Sequence, residues 1–179
     1  NENDTLHLET GYWLLGTSLT DKEPDFNRAD SILRICLEIS IVKKDTLFIS
    51  RSLLNIGWNY YRQEKYDSAI EYYNKSLIYS VPARIYENSG NAFGNLGTIS
   101  RDMGNTEKSL KYYLKSIEQA KLIEDTYTLY WVYMDMSEMY LRTGDTSNAY
   151  KSYVLYKRYN DAIISKTNTE GLTDARIKY

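Results

Sequence analysis

Apolar and small residues in this chain recur in steps of three and four, and the whole pattern returns every forty positions. Ala29, Ala69, Ser109 and Ala149 are 40 apart, as are Leu33, Tyr73, Tyr113 and Tyr153, and also Cys36, Ser76, Ser116 and Tyr156. In the second copy Leu53, Ile56, Gly57 and Tyr60 precede Ala69, Tyr73 and Ser76. The third runs Phe93, Leu96, Gly97, Ser100, then Ser109, Tyr113, Ser116. The fourth runs Tyr133, Met136, Ser137, Tyr140, then Ala149, Tyr153, Tyr156. The first has Tyr12, Leu15, Gly16 and Leu19 before Ala29, Leu33 and Cys36, and is one residue longer in its middle. Steps of three and four put side chains on one face of a helix, so each copy predicts two amphipathic helices. A unit this small cannot bury its apolar face alone, which predicts a stacked solenoid.

Turn signals separate the two helices of a copy. Gly104-Asn105-Thr106 and Gly144-Asp145-Thr146 read as a left-handed cap closing one helix and an N-cap opening the next. The second copy has Glu64-Lys65-Tyr66-Asp67 instead. A short turn makes the pair antiparallel. Two helices approach to about 8–10 Å only over small side chains, so Gly16, Gly57, Gly97 and Ser137 are expected to face Ala29, Ala69, Ser109 and Ala149. Tyr12, Leu53, Phe93 and Tyr133 would then lock each hairpin internally. Leu33, Tyr73, Tyr113 and Tyr153 would reach the following one.

The order aromatic, Leu-Gly, Tyr, then Gly-Asp or Gly-Asn, Ala, aromatic and small resembles the tetratricopeptide repeat, over roughly residues 10–160. The fold this implies is all-α, a right-handed α-α superhelix of about four helical hairpins. Repeats are expected at about 6–45, 46–82, 83–124 and 125–166 in a domain spanning 1–166, with 167–179 a linker or the start of a further helix. The standard unit has about 34 residues and usually ends in Pro. Here the period is 40 and Pro82 is the one candidate, so longer helices and a deeper groove are expected. The resemblance further implies that the first helix of each unit lines a concave groove. The positions left over after packing are Arg51, Asn55, Trp58 and Arg62, then Asn91, Asn95, Thr98 and Arg101, then Trp131, Asp135, Glu138 and Arg142. Asn55 and Asn95 stand where members of this family that bind peptides often hydrogen-bond a main chain, an amide offering both donor and acceptor. Arg62, Arg101 and Arg142 would hold a carboxylate, and Trp58 and Trp131 would anchor apolar surface. The plain alternative is a row of solvated helix residues.

Composition narrows the picture. With 42% hydrophobic residues, nine Gly and only two Pro among 179, the chain has the core of one all-α domain and little room for strands. Its 19 Tyr against three Phe suit a thin two-layer array, where a ring packs while its hydroxyl reaches water or a partner. A net charge of −2 from 22 basic and 24 acidic residues, interspersed, shows no basic stripe for nucleic acid. The single Cys36 reads as a small buried residue and the single His7 as a surface one, with no metal-ligand spacing around either. Gly90, Gly94 and Gly97 lie inside a helical pattern expected from about Ala83 to Met103, with Pro82 in its first turn. They are not a phosphate loop. No Ser-His-Asp set and no paired carboxylates in an apolar setting stand out, so the chain is read as no enzyme, with no cofactor and no metal.

What remains is binding of a protein or peptide. The chain begins Asn-Glu-Asn-Asp and has no secretory or transmembrane segment, which reads as a piece of a larger protein. After Lys157 the last helix is expected to run to about Ser165 and then turn polar near Thr167–Gly171. That stretch is similar to the segment after the last repeat in the tetratricopeptide sensor regions of Bacteroidetes-type signalling regulators. The similarity implies a ligand-sensing segment placed outside the cytoplasm, with the cytoplasm second, a membrane helix possible beyond the segment, and no membrane contact by the segment itself. Two other classes stay open. One is a Rap-like peptide-controlled regulator, which would need an N-terminal bundle that residues 1–9 cannot supply. The other is a scaffold binding through its convex, Tyr-bearing face.

Overall fold

The computed structural model describes residues 2–21 and 25–177, with side chains over 8–21 and 25–168. Among the described residues there are eight helices, α1 (Glu2–Asp21), α2 (Phe26–Lys43), α3 (Thr46–Arg62), α4 (Tyr66–Ser80), α5 (Tyr86–Asp102), α6 (Thr106–Leu122), α7 (Thr126–Arg142) and α8 (Thr146–Ile177). They form four antiparallel hairpins stacked side by side. The strongest packing is within α1–α2, α3–α4, α5–α6 and α7–α8, and each hairpin touches the next. First helices also meet one another, α1 with α3, α3 with α5 and α5 with α7, and so make a continuous face.

The forty-residue period has a finer origin than the hairpin. Lys44, Glu64, Arg84, Gly104, Glu124 and Gly144, each 20 residues from the last, all adopt left-handed φ between 53° and 79°. Turns within hairpins and turns between them are therefore alike, and helices of mostly 17 residues separate them. Only two of the six are Gly. Left-handed backbone costs an L-residue about 1–2 kcal/mol, and the packed helices on either side hold the other four there. The residue after each is the N-cap. Asp45, Asn105, Asp125 and Asp145 accept the backbone N–H three residues on, whereas Lys65 and Ile85 have no such cap. Pro82 lies in the turn between α4 and α5, not in the first turn of α5, which begins at Tyr86. α8 continues as helix past Ser165 and through the polar stretch Thr167–Gly171. The side chain of His7 lies outside the described residues, as do Lys178 and Tyr179.

The small positions do two jobs. A Cβ on Gly57 would come within 2.8 Å of the Tyr73 ring, one on Gly97 within 2.6 Å of Tyr113, and one on Gly16 within 2.7 Å of Leu33. The glycines thus face the large residue of their own hairpin rather than the small one alone. Tyr73 is fully buried over Gly57 and reaches Ala92, Leu96 and Ile99 of α5 as well, so it joins both its own hairpin and the next. The small position after it is polar for a reason. Cys36 Sγ donates to the Glu9 carbonyl (3.5 Å), Ser76 to that of Ser50 (2.8 Å) and Ser116 to that of Gly90 (2.8 Å). These tether the two helices of the first three hairpins, and the step is one residue longer in the first copy, where the sequence carries its extra residue. Cys36 is buried, and burial raises its thiol pKa above the usual value. Glu9 is also wholly buried, and Ser40 Oγ (3.0 Å) and Lys43 Nζ (2.5 Å) donate to it.

Candidate functional site

Because first helices repeat every forty residues, equivalent positions line up across the face they share. A groove of about 500 Å³ opens over α3, α5 and α7. Asn55, Trp58, Asn91, Asn95, Thr98, Arg101, Trp131 and Asp135 line it, and Asp21, Leu54, Tyr61 and Met134 complete it. Arg51, Arg62, Glu138 and Arg142 are outside the lining.

Each of the arginines already has a carboxylate of the chain beside it. Arg62 Nη1 lies 3.0 Å from Asp21 Oδ1, Arg142 Nη2 2.5 Å from Glu138 Oε1, and Arg51 Nη2 3.5 Å from Glu87 Oε2. Arg101 lies 2.8 Å from Asp135, 3.0 Å from Asp102 and 3.6 Å from Glu138. Most of these partners lie on a neighbouring first helix, at a separation in sequence that no reading within one repeat displays. Arg51 also stacks its guanidinium 5.0 Å from the Trp13 ring.

Asp135 is the knot at the base of the groove. Thr98 Oγ1 (2.7 Å) and the Tyr113 hydroxyl (3.1 Å) both donate to its Oδ2, while Arg101 holds Oδ1. The cluster joins α5, α6 and α7. Burial, and after it the Asp135 charge, pushes the Tyr113 hydroxyl pKa well above its ordinary value. Burial works against the Arg101 charge, but Asp135 and the other neighbours outweigh it and raise the guanidinium further.

Other groups at the site are held by packing. Trp58 Nε1 donates to Asp21 Oδ1 (2.7 Å), and its ring stacks on Tyr61 at 5.2 Å. Trp131 lies across Gly94, where a Cβ would meet its Cη2 at 2.0 Å. Gly94 corresponds to Leu54 and Met134 in the neighbouring copies, so a missing side chain on α5 is what admits the indole into the groove. In sequence Gly94 was visible only as one of three clustered glycines.

Three carboxamides remain. Asn55 Nδ2 donates to the Arg51 carbonyl (2.8 Å), leaving its Oδ1. Asn91 Oδ1 accepts from Thr128 (3.1 Å), leaving its Nδ2. The Asn95 side chain makes no hydrogen bond among the described residues. The groove therefore offers unpaired amide donors and acceptors between two indoles. Among the described residues no group of three His, Cys, Asp or Glu is placed to hold a metal ion, and no helix is long and apolar enough to cross a membrane.

Residues 50–80 and 90–121 each match the tetratricopeptide repeat. The second and third hairpins are tetratricopeptide repeats. The crystal structure of BtubC (BKLC) from P. vanneervenii has the same fold, with a TM-score of 0.55 and 18% identity over 82% of this chain and 78% of that one. Among curated proteins the chain is 30% identical over 99 residues to Protein FLUORESCENT IN BLUE LIGHT, chloroplastic, of Arabidopsis thaliana, covering 54% of this chain and 30% of that protein. It is 27% identical over 111 residues to mitochondrial import receptor subunit TOM70 of Rattus norvegicus, covering 62% of this chain and 16% of that protein. The chain thus spans less than a third of the length of either relative. Tetratricopeptide repeats are protein-interaction units, and this array is one.

Proposed function

We propose that the concave groove captures an extended peptide segment of a partner protein, and that this array is the ligand-sensing part of a larger signalling protein. The observation that carries the first half is the row of open carboxamides on Asn55, Asn91 and Asn95 between Trp58 and Trp131. An extended main chain presents an N–H and a C=O at regular intervals whatever its side chains, and amides match both. The indoles supply rigid apolar area at low entropy cost. The in-chain pairing of the arginines shifts the expected specificity. Affinity comes from main-chain contacts and apolar anchors, not from an acidic terminus. The second half is supported by α8, a single helix of 32 residues that runs on past the base of α7 and so offers a rigid path for a change in array curvature.

The test is a random peptide library displayed on phage and selected against the whole chain. Peptides enriched by the native chain and lost on Asn55→Ala/Asn95→Ala, with an unchanged melting curve, support the groove. A second reading has one observation in its favour. A convex hollow of about 410 Å³ lies between α2, α3 and α4, lined by Leu37, Ile41, Ile49, Ile78 and Tyr79, with Ile78 68% exposed. Enriched peptides indifferent to the asparagine change but lost on Ile78→Asp would move binding to that scaffold-like face.

A further inference from the structure

The outer side of α8 carries a pattern of its own. Its inner side is closed by α7, where Tyr159 stacks on Tyr133 at 5.8 Å, Tyr156 packs on Tyr130 at 5.2 Å, and Ala149 and Ser152 are buried. Opposite them Tyr150, Val154, Lys157, Asp161, Ile164 and Asn168 succeed one another in steps of four and three. That spacing keeps a stripe aligned along a helix as in a coiled-coil seam. The whole stripe is exposed, Tyr150 at 68%, Val154 at 46% and Ile164 at 51%. None of it lines the concave groove.

We propose that this stripe is the contact surface for a second copy of the chain, through two-fold, antiparallel pairing of α8 with α8. The stripe is self-complementary only on reversal. About a two-fold axis near residue 159, Val154 of one copy meets Ile164 of the other, Lys157 meets Asp161, and Tyr150 meets Asn168. Symmetry doubles each contact, giving two apolar pairs flanking two ion pairs, as an isologous interface requires. In the parallel register Lys157 would face Lys157 and Asp161 would face Asp161, so charge selects both orientation and partner. Lys157 and Asp161 lie 3.7 Å apart on one helix with side chains 46% and 68% exposed, free to exchange this loose pairing for one across the axis. Tyr153, 48% exposed beside the stripe, adds apolar area. The concave grooves of both copies stay open.

Sedimentation velocity of the full chain from micromolar to millimolar concentration tests this. A monomer–dimer equilibrium is expected. Lys157→Asp should weaken it by about tenfold or more, because two like-charged contacts replace two ion pairs, and Asp161→Lys should do the same. Mixing the two single variants should restore association, since each copy then meets its complement. That recovery cannot come from folding, because each variant keeps its own substitution. A chain that stays monomeric throughout the range, a dimer indifferent to both reversals, or a mixture no tighter than its parts would each overturn the proposal.

Discussion

Tyr113 and Tyr153 hold the same place in consecutive hairpins, yet the first is wholly buried and the second 48% exposed. Around Tyr113, α7 covers one side, Gly97 lies beneath the ring, and Asp135 takes the hydroxyl. Beyond Tyr153 no further helix stacks among the described residues, and Ser137 stands where a glycine stood. The next small position changes too. Ser116 tethers α6 to the Gly90 carbonyl, whereas Tyr156 packs on Tyr130 instead. A residue in a repeat array thus derives its energy from its neighbours in the stack, and the same letter is core in one copy and surface in the next.

The comparison can be broken at several points. The largest effect is expected from Tyr113→Ala, which removes a fully buried ring and should cost about 3–5 kcal/mol in urea unfolding, against less than about 0.5 kcal/mol for Tyr153→Ala. Equal losses would show that stacking order does not decide burial energy. Gly97→Ala comes next. Its Cβ would sit 2.6 Å from the Tyr113 ring, and overpacking of that kind costs about 1–3 kcal/mol. The last hairpin already carries a Cβ at the matching Ser137, so Ser137→Ala should lower the unfolding midpoint far less than Gly97→Ala does.

Alkaline pH separates the two classes of tyrosine. Burial raises the hydroxyls of Tyr73 and Tyr113 well above the ordinary 10.0. The unfolded chain releases these protons first, so the stability tied to them is complete below pH 10 and is lost as the pH climbs toward the raised native values. The urea midpoint should hold steady to about pH 9.5 and then fall. Absorbance of phenolate should show a late-titrating fraction that shrinks in Tyr73→Phe/Tyr113→Phe, with Tyr61, which burial and Asp102 also raise, among the groups that remain. The smallest effect is a gain. Glu64→Gly/Lys65→Asp gives the second hairpin the turn already present at Gly144-Asp145. It relieves a left-handed Glu64 and supplies a missing N-cap, which should raise stability by about 1 kcal/mol.

Much of this was legible in the chain. The period and the row from Asn55 to Asp135 rest on local spacing, which a helix converts directly into a face, whereas the glycines expected to face Ala29, Ala69 and Ser109 lie under Leu33, Tyr73 and Tyr113. What lay hidden depends on which helices adjoin. The left-handed Lys44, Glu64, Arg84 and Glu124 look like ordinary loop residues until helices at both ends fix them. The pairing of Arg101 with Asp135 and of Arg62 with Asp21 crosses between repeats, and it turned expected ligand holders into parts of the frame. Buried Glu9 gives no sign in sequence, because its Ser40 and Lys43 partners come from the next helix. Gly94 becomes intelligible only with Trp131 lying on it.

Three tryptophans report on the groove most directly, two within it and Trp13 outside. In a 15N-labelled chain titrated with a library-selected peptide, the indole signals of Trp58 and Trp131 should shift together and saturate while that of Trp13 stays still. Saturable binding that leaves Trp58 and Trp131 unmoved would contradict the concave groove as the binding face.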